Sequence, residues 1–147
     1  MKNAKVVIKK MEEKDMLTVY EQICELEEIS FDINQFQSIF IHNINDSTKL
    51  YYLAEDEQGL CLGFISCHIQ KLLHHCGEVA EIQELFVKSA YRSKGIGALL
   101  VNHVESILKE IGCNNIEVTA QNKRLKTHSF YLNIGFHSSH LKFTKTI

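Results

Sequence analysis

The spacing of hydrophobic positions changes period several times along the chain, and each change marks an element. Residues 5–10 read as a first strand. Met16, Val19, Tyr20 and Ile23 then fall at i, i+3, i+4 and i+7, a helical stripe that Asp15 is placed to cap. A second stripe, Phe36, Ile39, Phe40 and Ile44, follows Asp32. Residues 50–54 form a short strand, and a 56–59 turn, with Gly59 free to take a positive φ, leads into a longer strand over 61–73. After a 74–77 loop, residues 78–87 form another strand. The strongest helix follows: Ile96, Leu99, Leu100, Val104, Ile107, Leu108 and Ile111 hold a 3.6 period until Gly112 ends it. A strand over 115–119, a short helix over 126–132, a turn at Gly135 and a last strand over 141–144 complete the chain. This order mixes antiparallel hairpins with one helical crossover, which predicts an α+β or mixed α/β fold around a central sheet.

Composition narrows the class. The 147 residues fit one domain, 1–147, and a 45% hydrophobic fraction with 23% charged residues is that of a globular chain. The apolar runs are too short to span a bilayer, and residues 1–10 lack the apolar stretch of a signal peptide, so no membrane partner is expected. Net charge is −2, which gives no general attraction to nucleic acid. Five cysteines with no CxxC pair read as reduced thiols, consistent with a cytoplasmic location.

One turn carries the candidate chemistry. Arg92-Ser93-Lys94-Gly95-Ile96-Gly97 sits between a predicted strand and the strong helix. A helix N-terminus presents unpaired N–H groups and partial positive charge, so it is an anion site. Gly95 and Gly97 remove side chains that would hold a pyrophosphate off the backbone, and Arg92 and Lys94 add charge. Arg92-x-x-Gly95-x-Gly97 resembles the coenzyme A motif of the GNAT acetyltransferase superfamily. The surroundings, Leu85-Phe86-Val87 and Phe130 to Phe136, are also similar. The resemblance implies an acetyl-CoA-dependent N-acetyltransferase with a central, mostly antiparallel sheet. It further implies that residues 92–97 bind the pyrophosphate and that Leu85–Val87 hold the pantetheine arm beside a splayed neighbouring strand. Family members often carry Asn seven residues before a conserved tyrosine; here that position is Arg124, and Asn122 is the substitute expected to contact the cofactor.

Glu78, Glu81 and Glu84 share one strand, where carboxylates need an explanation. Strict alternation puts Glu81 on one face with Gln83 and Leu85, and Glu84 on the other with Ile82 and Phe86. An amine arrives as ammonium and attacks a thioester only after losing a proton, which a desolvated glutamate can accept. Glu81 is the first candidate base and Glu84 the second. The family resemblance makes Tyr131 the acid for the leaving thiolate, with a backbone N–H of Leu85–Val87 stabilising the oxyanion.

Within the superfamily the chain is most similar to the aminoalkylphosphonate N-acetyltransferases. Ile23-Cys24-Glu25-Leu26, Phe31-Asp32, His74-His75, residues 81–85 and Phe143-Thr144-Lys145 carry that likeness. It implies a small aminoalkylphosphonate acceptor, an association with divalent metal, and dimerisation of the kind common among such domains. His74 and His75 are the candidate phosphonate donors, with His128, His140 and Lys142 as further ones. Adjacent histidines in a strand point apart, so no metal ligands are assigned. Two alternatives stand: a related enzyme for another amine (a polyamine, an aminoglycoside or a protein N-terminus), and a CoA-binding regulatory domain without catalysis.

Overall fold

The computed structural model describes residues 5–147, and in it the strands run in chain order as a single five-stranded sheet. β1 is Val7–Lys10, β2 Lys49–Glu55, β3 Cys61–Leu72, β4 Gly77–Val87 and β5 Ile116–Val118. The first four pair antiparallel, and β4 pairs parallel with β5. α1 (Met16–Glu27) and α2 (Ile33–Ile44) cover one face, and α3 (Ile96–Glu110) and α4 (Leu125–Asn133) belong to the other. This is the mixed, mostly antiparallel architecture that the element order predicts.

Two cores follow from strand alternation. Leu53, Phe64 and Phe86 point to α1 and α2, where they meet Val19 and Phe40. Ile65, Ala80 and Ile82 point the other way, to Leu100, Val101 and Val104 of α3. α3 carries the apolar stripe expected of it, since a helix buried on one face needs one.

Asp32 caps α2, its carboxylate accepting the Gln35 N–H at 2.8 Å. Asp15 differs from expectation. A 3₁₀ turn precedes α1, and the Asp15 carboxylate accepts the Glu12 N–H at 2.8 Å instead of capping the helix. The last strand is a second difference. Residues 141–144 form no strand, and Leu141 and Phe143 are exposed. A strand exists only where a neighbour accepts its ladder bonds, and none of the ladders involves these residues.

A third difference lies inside β4. Ser66 pairs with Glu84 but Cys67 pairs with Ile82, so Gln83 is an extra residue, a β-bulge. One inserted residue inverts the alternation beyond it. Ile82 and Leu85 both face α3, and Glu81 and Glu84 therefore share the α1–α2 face. The opposite faces expected from strict alternation are corrected by the bulge.

Candidate active site

β4 and β5 are paired only along Ala80–Ile82 and Ile116–Val118. Beyond Ile82, the strand edge that faced β5 is left open. The backbone direction there can be deduced. The N–H of Glu84 goes to the Ser66 hydroxyl and that of Lys88 to the Leu62 carbonyl, so both face β3. Period-two alternation then turns the N–H groups of Leu85 and Val87 to the open edge. The Phe86 ring lies in the core under α1 and α2, stacked on Phe64.

The turn after β4 has the shape of an anion nest. Arg92 is held by its Nε–H, which donates to the Val87 carbonyl at 2.9 Å, with the guanidinium 5.9 Å from the Phe86 ring centre. Lys94 lies over the Tyr91 ring at 5.4 Å. Ser93 and Gly95 both take left-handed φ values, 62° and 84°. No backbone hydrogen bond uses the N–H groups of residues 93–98, the start of α3 included. Consecutive free N–H groups at a helix N-terminus fit a phosphate.

The two glycines have different work. A side chain at Gly95 would meet no atom within 4 Å, and its φ of +84° is the reason glycine stands there. Gly97 has ordinary φ, but a Cβ there would lie 3.1 Å from the Phe130 ring. Gly97 thus lets α4 pack on α3. The expectation that both clear space for pyrophosphate is narrowed accordingly.

Tyr131 of α4 is buried, its ring edge-on to Phe130 and Phe136 at 5.1 and 5.3 Å between centres. Burial pushes its phenol up to about 12. A phenol held that high keeps its proton at neutral pH and is suited to donating a hydrogen bond.

On the other face, Glu84 lies on the floor of a cavity of ≈ 70 Å³. Val19 and Ile23 of α1, Phe36 and Phe40 of α2, and Phe64 wall it with apolar surface. The polar lining is Glu84, Ser66 and Tyr51. Burial raises the Glu84 carboxyl above the usual range, the hydrogen bond from Ser66 opposes this, and the charge of Glu27 adds to it. The Tyr51 hydroxyl accepts from Asn43 Nδ2 at 2.8 Å and lies 3.0 Å from His68 Nε2. Burial pushes Tyr51 up to about 12, and burial with the Lys49 charge holds His68 below its ordinary value. Glu81 is opposite His68 across the ladder, on the same face but not in the cavity lining.

The remaining candidates lie elsewhere. His74 and His75 form a 3₁₀ turn at the tip of the β3–β4 hairpin, seven strand residues before Glu84, or about 23 Å at ~3.3 Å per residue. His75 faces Glu117 at 3.5 Å. His128 donates to the Gln121 carbonyl at 2.7 Å. His140 and Lys142 are exposed in the tail, and Asn122 is exposed in the β5–α4 loop. Among the described residues no three His, Cys, Asp or Glu side chains cluster as metal ligands. Ser66 and Tyr51 went unnoticed in the sequence. The available signal was a serine inside the otherwise apolar run Leu62 to Cys67.

Comparison with known proteins fits this geometry. The acetyltransferase (GNAT) family model matches residues 14–136. The chain is 37% identical over 134 residues to the aminoalkylphosphonate N-acetyltransferase of Salmonella typhimurium, covering 91% of this chain and 86% of that one. Solved structures share the fold. A transcriptional regulator from Bacillus halodurans superposes with TM-score 0.88 at 22% identity, covering 97% of this chain and 100% of that one. The aminoglycoside N-acetyltransferase AAC(6')-Iy, solved with CoA, gives 0.87 at 14% identity, with 99% and 97% covered. A strand that parts from its neighbour beside an N–H-lined, glycine-bearing helix start is thus set in a chain that belongs to the GNAT acetyltransferase family and is an N-acetyltransferase.

Proposed function

We propose that this enzyme moves the acetyl group of acetyl-CoA directly to the primary amine of a small aminoalkylphosphonate, with Glu84 as the base. The observation that carries the assignment of the base is the Glu84 carboxyl on the floor of an apolar cavity, raised by burial. Such a carboxylate takes a proton from an ammonium more readily than an exposed one. Glu81 takes second place, because it lies outside the cavity lining. The choice of acceptor rests on the likeness to the Salmonella enzyme.

The parts divide the reaction as follows. The N–H groups of residues 93–98, with Arg92 and Lys94 beside them, hold pyrophosphate. The Leu85 and Val87 N–H groups on the open edge meet the pantetheine amides and the thioester oxygen. Glu84 accepts the ammonium proton and the neutral amine attacks the acetyl carbon; the C–S bond then breaks, Tyr131 gives its proton to the departing thiolate, and the proton shed by the new amide nitrogen restores the phenol by way of solvent.

A panel of amines assayed for CoA thiol release tests the proposal. The panel contains 2-aminoethylphosphonate, 3-aminopropanol, a polyamine and an aminoglycoside. Highest kcat/KM with the phosphonate supports it. A better polyamine or aminoglycoside rejects the acceptor, and no thiol release with any amine rejects catalysis in favour of CoA binding alone.

A further inference from the structure

Among the described residues the lining of the cavity beside Glu84 holds no lysine or arginine, so it offers a phosphonate no cation to pair with. A cation stands at the end of α1. The chain leaves the sheet after Val118, which is paired with Ile82, and runs on to Arg124. The side chain of Arg124 then reaches a helix of the opposite layer. Its Nη2 donates to the Leu26 carbonyl of α1 at 3.2 Å, across 98 residues of sequence. Leu26 is one helical turn beyond Ile23, which lines the cavity. Its neighbour Glu27 is close enough for its charge to act on Glu84. Arg124 therefore bridges the β5–α4 loop and the end of α1.

The guanidinium is under-used for its setting. It carries five N–H donors in one plane, and the bond to Leu26 occupies one of them. Among the described residues no carboxylate forms an ion pair with it. It is nonetheless partly buried. A partly buried cation without a charged partner is ready to take an anionic ligand. A single carbonyl contact at a helix C-terminus is within the reach of any lysine, whereas a planar fork matches two oxygens of a tetrahedral anion.

We propose that Arg124 is the anion anchor of the acceptor site, gripping the phosphonate oxygens while Glu84 receives the proton from the amine end of the same molecule. The proposal rests on the aminoalkylphosphonate reading given above. It assigns to the acceptor the residue that stands where family members often carry a cofactor-contacting Asn.

The experiment compares wild type, Arg124→Gln and Arg124→Lys on 2-aminoethylphosphonate and on 3-aminopropanol, an amine of equal length without the anion. It reads kcat/KM, the KM for acetyl-CoA and the melting temperature. Arg124→Gln is expected to lower kcat/KM for the phosphonate about 10- to 100-fold, the value of a charge-assisted contact, and to leave the neutral amine within about threefold. Arg124→Lys keeps the charge without the fork and is expected to fall between. Equal losses on both acceptors, or no loss on the phosphonate, overturn the anchor and leave the acceptor reading standing. A wild type without preference for the phosphonate overturns the acceptor reading itself, and the anchor with it. If Arg124→Gln fails to fold, an unchanged phosphonate KM in Arg124→Lys overturns the anchor.

Discussion

Ser66 and Glu84 meet twice across the β3–β4 ladder. The Ser66 hydroxyl accepts the Glu84 backbone N–H at 3.0 Å and donates its own proton to the Glu84 carboxylate. A buried serine thus fixes both the backbone and the side chain of the candidate base, at the residue next to the bulge. Hydrogen bonding to the ionised form works against burial, so Ser66 sets how far the carboxyl is raised.

Removing that hydroxyl should be visible in the pH–rate profile. With Ser66→Ala the carboxylate loses a donor, and the acidic limb of kcat/KM is expected to move to higher pH. Glu84→Gln should abolish that limb, and Glu81→Gln should leave it in place. A limb lost with Glu81→Gln and kept with Glu84→Gln would swap the two roles.

Glu84 should also cost stability. Its folded carboxyl lies above its unfolded value, so the folded state binds more protons between the two. Its contribution is therefore most favourable below the unfolded pKa and is lost as pH rises through the folded one. Glu84→Gln, which stays neutral, is expected to melt higher than wild type at pH 8, with the gap narrowing toward pH 4. A gap that widens on acidification contradicts the direction of the shift. The inactive variant being the more stable one would be a stability–activity trade-off.

Tyr131→Phe tests the donor to the thiolate. The ring packing against Phe130 and Phe136 survives the change, so folding and acetyl-CoA affinity should hold. Turnover should fall by about 10²-fold, the lower end for loss of a positioned proton donor. Equal effects on acetyl-CoA affinity and turnover would assign the hydroxyl to binding instead.

The two turn glycines should fail differently. Gly95→Ala strains a left-handed residue beside the free N–H groups, and weaker acetyl-CoA binding is expected with a loss of stability of about 1 kcal/mol. Gly97→Ala presses on Phe130, so its melting temperature should be higher in a Phe130→Leu background than the separate effects of the two changes predict. Titration calorimetry with CoA and thermal melts separate the cases. Rescue of Gly95→Ala by Phe130→Leu would refute the division.

Much of this protein was legible in one dimension. The stripe of α3 from Ile96, the start of α2 after Asp32 and the glycine-bearing turn at 92–97 are local, because helix period, helix starts and φ preference depend on residues within a few positions. The fold class followed from their order. What the tertiary structure decided was non-local. The Gln83 bulge is a property of the β3–β4 register, and it brought Glu81 and Glu84 to one face against strict alternation. Burial under α1 and α2 singled out Glu84, and the ladder gave it Ser66, 18 positions away. The same layers brought Arg124 to Leu26. Residues 141–144 alternate like a strand, yet pair with none of the described residues, because a strand needs a partner that its own sequence does not contain.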